Sequence, residues 1–150
     1  MTQFVWRIDS KNYLSSKGAQ GDDLPTKTFI TQVCKRLDDC SSSHTLEELK
    51  SGKIPHCHSH IVSTSNKDKT EDYLRLVKKL KDINTTLGSG PNPTQLSEED
   101  ILQISLDNIS DRFRCFGYVL NNVFYLIYLD PYHKVYKHQK HPKSNRMPNP

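Results

Sequence analysis

Two arginines one residue apart, Arg112 and Arg114, head the most strand-like run of the chain, RFRCFGYVL at residues 112–120. Alternate residues of a strand share a face. Both guanidiniums therefore project to one side, where they can clamp a phosphate bidentately. The competing role is structural, with one of them pairing to Asp130 or Asp111 and pinning the strand to its neighbour. His133 follows Asp130-Pro131 and suits general acid or base work, because imidazole titrates near neutrality. Packing of the turn, or a hydrogen bond to Asp130, would occupy it instead. A third constellation is His56-Cys57-His58-Ser59-His60. In a strand, His56, His58 and His60 share a face and offer imidazoles to a divalent ion. The spacing matches no zinc pattern, and a fourth ligand would have to come from His44 or His133. A metal-free catalytic face is the other functional reading, and a half-exposed polar strand face is the reading that the cluster fits best. These histidines are the weak metal candidates, and the reading otherwise calls for no metal and no cofactor.

The elements that must position these groups are legible from periodicity. Residues 112–120 and 123–129 (VFYLIYL) are rich in aromatic and β-branched residues and are joined by Asn121-Asn122, which predicts a β-hairpin. The second strand is apolar on both faces, as a central strand covered on both sides would be. Residues 101–106 read as a further strand led in by Ser97-Glu-Glu-Asp. Residues 56–63 and 4–8 read as short strands, and residues 10–24 as a loop. Phe29, Val33, Leu37 and Cys40 recur at helical spacing behind Pro25 and Thr26, with residues 41–43 ending that helix. Thr45 and Glu48 form a capping-box pattern for a second short helix that closes at Gly52. Thr70 caps the clearest helix, with Glu71 and Asp72 in the first turn, where the helix dipole favours acids. Its apolar stripe is Tyr73, Leu76, Val77, Leu80 and Ile83. Arg75, Lys78 and Lys79 lie mainly off that stripe and give a basic outer face, which either is solvated or meets nucleic-acid phosphate. Residues 85–93 (TTLGSGPNP) read as a glycine- and proline-containing linker. Val135-Tyr136 adds a short last strand. The sum is an α+β fold, a mostly antiparallel sheet of about four strands covered by amphipathic helices.

Composition bounds the function. The chain has 150 residues and 34% hydrophobic content, which suits one modest core. The single domain is expected over residues 1–137, followed by a basic, disordered tail at 138–150. Net charge is +4, and most of the excess lies in residues 134–150: Lys134, Lys137, Lys140, Lys143 and Arg146, with no acid among them. Such a tail is an electrostatic footprint for phosphate or a solubilising device. No stretch approaches the ~20 apolar residues of a membrane span. The N-terminus lacks the pattern of a secretory signal. The four cysteines include no CxxC pair. A cytoplasmic protein with reduced thiols and no membrane partner is expected, with Cys34 and Cys115 in the core.

The run Arg112-Phe-Arg-Cys-Phe-Gly-Tyr-Val, followed by Asn-Asn-Val-Phe-Tyr-Leu-Ile-Tyr-Leu-Asp-Pro-Tyr-His-Lys-Val-Tyr136, resembles the ending of small bacterial proteins of the RelE/ParE toxin superfamily. Its sharpest element is Asp130-Pro131-Tyr132-His133 followed by Val135-Tyr136. The likeness covers about 30 residues, with a similar layout upstream. The resemblance implies a RelE/ParE-like fold and a toxin–antitoxin-type endoribonuclease, with Arg112, Arg114, His133 and Tyr136 as catalytic candidates. RNA cleavage of this kind needs a base for the 2′-hydroxyl proton, a cation for the charged phosphorane and an acid for the leaving oxygen. Arg75, Lys78, Lys79, Tyr132, Lys134 and Lys137 are then the nucleic-acid-binding set. RNA, the ribosome and a cognate antitoxin protein are the expected partners. The chain departs from the better-known toxins in its long linker at residues 85–93 and in lacking a lysine-crowded helical hairpin before the sheet. The alternative is a non-catalytic nucleic-acid- or protein-binding module.

Overall fold

The computed structural model describes residues 3–15, 27–55, 57–62, 70–106, 114–130 and Val135, without the side chains of Ser15, Lys27, Thr28, Phe29 and Leu106. In chain order its elements are β1 (Val5–Ile8), β2 (Leu14–Ser15), α1 (Lys27–Ser43), α2 (Leu46–Ser51), β3 (Cys57–Ile61), α3 (Glu71–Gly88), a single 3-10 turn (Glu98–Asp100), β4 (Ile101–Leu106), β5 (Arg114–Leu120) and β6 (Val123–Asp130).

The Asn121-Asn122 turn organises the sheet. Both asparagines have positive φ, 52° and 66°. This is the mirror-image turn whose twist matches antiparallel strands, and asparagine tolerates it better than most residues. The turn pairs Leu120 with Val123 and carries the register out to Arg114 opposite Asp130. The register shifts once, between Phe116 opposite Tyr128 and Gly117 opposite Leu126, so Ile127 is the extra residue of a bulge. Gly117 is required there. A Cβ at this position would stand 2.2 Å from the Tyr125 carbonyl oxygen and 2.6 Å from the Phe124 ring.

The sheet is mixed, and this corrects the expectation of a mostly antiparallel sheet of about four strands. The run β3–β4–β5–β6 is antiparallel throughout, while β1 and β2 both pair with β6 in parallel, in the order β1-β6-β5-β4-β3. A buried strand cannot leave one edge of backbone donors and acceptors unpaired. The N-terminal segment supplies the partner, and its distance in sequence from β6 permits the parallel sense. The expected loop at residues 10–24 accordingly contains β2. Between β1 and β2 the chain turns on Asp9, whose carboxylate accepts from the Asn12 backbone N–H and side-chain amide at 3.3 and 2.9 Å.

Helices cover both faces. Val33, Leu37 and Cys40 of α1 and Leu49 of α2 pack with Cys57, Leu102, Ile104, Cys115, Phe124, Leu126 and Leu129 on one face. Tyr73, Leu76, Val77, Leu80 and Ile83 of α3 pack with Ile101, Phe116, Tyr118, Ile127 and Tyr128 on the other. The expected stripe of α3 is thus the buried one, and β6, expected as the central strand, is an interior strand between β5 and the β1–β2 edge, with β5 at the centre of the order. Trp6 Nε1 donates to Asp38 at 2.7 Å and fastens α1 to β1. The capping box Thr45/Glu48 and the left-handed Gly52 bound α2 as expected.

Residues 41–43 end α1 as expected, as its last turn, with the Ser41 and Ser42 hydroxyls donating to the carbonyls of Asp38 and Asp39. Other boundaries differ from expectation. Residues 85–88 belong to α3 and not to a linker. Thr85 and Thr86 donate back to the carbonyls of Lys81 and Asp82, Leu87 packs against the core, and Asn84 accepts the Leu96 N–H at 2.7 Å. Cys34 is half-buried, whereas Cys115 is fully buried. Val135 is buried beside α3 but is not in a strand. Pro25, Thr26, Tyr136 and the tail at 138–150 lie outside the described residues. No helix among the described residues is long and apolar enough to cross a membrane.

Candidate functional site

The register of the four antiparallel strands lines up a polar row across the sheet: His58 opposite Ser105, Ser105 opposite Arg114, and Arg114 opposite Asp130. All four lie on the face that α3 covers. Cys57 and Cys115, their immediate neighbours in β3 and β5, belong to the core of the other face. One step along, a second row runs His60, Gln103, Phe116, Tyr128. The rows open towards solvent at one end. His58 and His60 on β3 are exposed, Gln103 and Arg114 are half-buried, and Ser105 and Asp130 are buried.

The closed end of the rows is tied to the start of α3. Tyr128 donates its hydroxyl to Asp72 Oδ2 at 2.7 Å, and both residues are buried. Thr70 caps α3 by accepting the Tyr73 N–H at 3.0 Å, and the same hydroxyl donates to the Val135 carbonyl. Val135 in turn gives its N–H to Asp130 Oδ2 at 2.9 Å. Asp130 and Val135 are therefore fastened to each other and to the helix cap. A carboxyl group, a phenol and a helix cap thus meet next to a strand arginine, with their hydrogen bonds made to one another.

Of the sequence candidates, the structure places Arg114 in the first row. Arg112, His133, Tyr136, Tyr132, Lys134, Lys137 and His56 lie outside the described residues. His58 and His60 do share a face, as their alternation requires. Among the described residues no three His, Cys, Asp or Glu side chains gather as metal ligands. Arg75, Lys78 and Lys79 form a stripe on α3 that lines a shallow depression of about 260 Å³ with Leu14 and Asp82. Leu14 belongs to β2, so this stripe borders the β1–β2 edge of the sheet, and His58 and His60 stand on β3 at the opposite edge. The structure does not bring the α3 cations and the strand histidines together.

The chain belongs to the family described as Uncharacterised protein UU032, whose model matches residues 19–148. No curated protein and no solved structure matches. The span matched by the family model contains every residue of both rows and all of α3, and leaves out β1 and β2.

Sequence reasoning missed Asp72, Tyr128 and Ser105. Asp72 reads as a dipole-favoured acid of the first helical turn. Its position four residues before Leu76 places it on the buried stripe, and that spacing was the available signal. Tyr128 reads as one more apolar residue of β6, and only the bulge at Ile127 sets it on the α3 face.

Proposed function

We propose that this protein is a toxin–antitoxin-type endoribonuclease of RelE/ParE-like fold that acts on RNA through the row His58, Ser105, Arg114, Asp130. The observation that carries the reading is the placement of Arg114 and His58 on one sheet face, two strands apart, roughly 10 Å at the backbone. That gap accommodates a phosphodiester between an imidazole and a guanidinium. Arg114 binds the phosphate and stabilises the charge that develops on the phosphorane. His58, the exposed imidazole of the row, takes the 2′-hydroxyl proton. The acid for the leaving 5′ oxygen is His133, in the segment whose flanking residues Asp130 and Val135 are anchored beside Arg114. The products are a 2′,3′-cyclic phosphate and a free 5′-hydroxyl, and no metal is needed. A cognate antitoxin and the ribosome are the partners that this reading expects.

The test is inducible expression in a bacterial host. Wild type is set beside Arg114→Ala, Arg114→Lys, His58→Ala and His133→Ala, with growth and total RNA integrity as readouts. Wild-type arrest with RNA cleavage is expected. Each alanine variant should lower the cleavage rate of purified protein by about 100-fold or more, with far-ultraviolet circular dichroism confirming the fold. Unimpaired growth with intact RNA overturns the reading.

A second reading, a non-catalytic module for nucleic acid, is favoured by the Arg75, Lys78, Lys79 stripe bordering its own depression. It expects salt-dependent RNA binding that survives Arg114→Ala and weakens on removal of residues 138–150, a truncation that keeps buried Val135.

A further inference from the structure

The hairpin-tip end of the sheet carries a groove that the proposed chemistry does not use. It lies between α2, the end of β3, the 3-10 turn and the tip of the β5–β6 hairpin, and its volume is about 480 Å³. Ligand-binding clefts span roughly 300–1,000 Å³. Leu46, Ile61 and Val119 give the groove an apolar floor, and Glu47, Lys50 and Glu99 supply its charges. Lys50 is already engaged, with its Nζ 3.0 Å from Asp100 Oδ1. Glu47 and Glu99 are exposed and form no ion pair among the described residues. Two carboxylates without a counter-charge thus stand beside aliphatic surface. The complementary group is a lysine or arginine side chain, whose stem lies on apolar surface while its cation meets carboxylate.

The edge of β3 points to a peptide as the carrier of that side chain. Among the described residues β3 has β4 on one side and no strand on the other. Val62 donates its N–H to the Ile101 carbonyl at 2.9 Å. Antiparallel ladders bond alternate residues, so His60 and Val62 bond to β4 and Ile61 turns its backbone N–H and C=O outward. Towards the start of β3 the chain closes this edge itself. Cys57 donates to the Ile54 carbonyl at 3.2 Å, and a Cβ on Gly52 would stand 3.0 Å from the Ser59 carbonyl oxygen. The open stretch is at Ile61, whose side chain is 53% exposed and lines the groove. Outward backbone groups beside a side-chain groove are what an added strand needs.

We propose that this groove docks an extended peptide segment of a partner protein. The segment pairs its backbone with Ile61 and lays a lysine or arginine side chain over Leu46, Ile61 and Val119, with the cation at Glu47 and Glu99. Ile61 alternates with His60 and shares the α1 and α2 side with Cys57. The groove is therefore on the opposite face from the His58 and Arg114 row, and the proposal stands whether or not the protein cleaves RNA.

The test is a titration of the isotope-labelled full chain, followed by amide NMR, with two pools of acetylated, amidated pentapeptides. The central residue is arginine in one pool and glutamate in the other, and the remaining positions are drawn from valine, leucine, threonine and serine. The arginine pool should give saturable shifts at residues 46–51, Ile61, Val119 and Asn122, and the glutamate pool none. Hydrogen exchange of the Ile61 amide should slow by about tenfold or more in the complex. Glu47→Gln/Glu99→Gln should bind the arginine pool about tenfold more weakly, with its unbound spectrum reporting the fold. Absence of saturable shifts, equal response to both pools, or shifts elsewhere on the chain overturns the proposal. Binding that leaves Ile61 exchange unchanged makes the ligand a free cation and also overturns it. So do concentration-dependent shifts at these residues without peptide, which mark a second copy as the occupant, and a response seen only after removal of residues 138–150, which marks the chain's own tail.

Discussion

The two faces of the sheet are closed by different chemistry. Under α1 and α2 the core is mostly aliphatic and thiol, and its buried polar side chain is Ser59, which donates to the Leu49 carbonyl. Under α3 the core is aromatic and carries polar groups into the interior: Tyr73, Phe116, Tyr118 and Tyr128 among the rings, and Asp72, Ser105 and Asp130 among the buried polar residues. Phe116 meets Tyr128 edge-on at 6.0 Å, and Tyr118 stacks on Tyr125 at 5.1 Å. An aliphatic face needs only volume and shape. A face with phenols and carboxyls must also satisfy each polar group, which fixes geometry more narrowly. The candidate site lies on the second kind of face, where side-chain directions are set by hydrogen bonds as well as by packing.

The largest expected effect should fall on the aliphatic face. Phe124 is fully buried, and its ring lies over Gly117 in space that a Cβ would fill. Phe124→Ala should cost about 3–5 kcal/mol, because the cavity is bordered by a rigid strand pair that cannot collapse into it. Urea unfolding followed by circular dichroism would measure it. A loss under about 1 kcal/mol would mean that this face is loosely packed, against the general expectation for protein cores.

A smaller loss, specific to the polar face, is expected from Tyr128→Phe. The ring and its contact with Phe116 remain, and only the hydroxyl donated to Asp72 is removed. Hydrogen bonds to acidic groups contribute about 1.5–3 kcal/mol. If RNA cleavage is observed in the wild type, this variant should also lower its rate, because Asp72 fastens the helix start beside the Arg114 row. A variant that loses stability and keeps full activity would confine the Asp72–Tyr128 pair to a structural role.

The same contrast explains what was legible in the sequence. Period and turn chemistry gave the hairpin, the strand at residues 101–106, the stripe of α3 and the caps of α2, since each depends on residues close together in the chain. The parallel pairing of β1 and β2 with β6 was not legible, because no local pattern states which distant edge a short strand will cover. The end of α3 was misread for a related reason. Serines, threonines and a glycine signal a break locally, while tertiary contacts such as those of Leu87 and Asn84 extend the helix through them. At the site, Arg114 and the shared face of His58 and His60 followed from alternation. Their alignment in adjacent rows depends on the registers of three strand pairs, and Tyr128 depends on a one-residue bulge.

The smallest effect at neutral pH, and the one with the clearest signature, is expected from Tyr118→Phe. Tyr118 donates to Asp9 Oδ2 at 2.5 Å, and Asp9 keeps two donors from Asn12 when that hydroxyl is lost. The neutral-pH cost should therefore be about 0.5–1.5 kcal/mol. The phenol is pushed above its ordinary value of 10.0, first by burial and then by the hydrogen bond to the Asp9 carboxylate. The folded chain therefore keeps a proton that the unfolded chain releases above about pH 10. The contribution of Tyr118 is fully present below that pH and declines as pH rises beyond it. Unfolding curves taken at neutral pH and at steps above pH 10 should show wild type losing stability more steeply than Tyr118→Phe, with the other six tyrosines common to both. Parallel slopes would mean that the phenol meets solvent and that the polar face opens near Asp9. The narrow geometry argued for that face would then apply only around Asp72 and Tyr128.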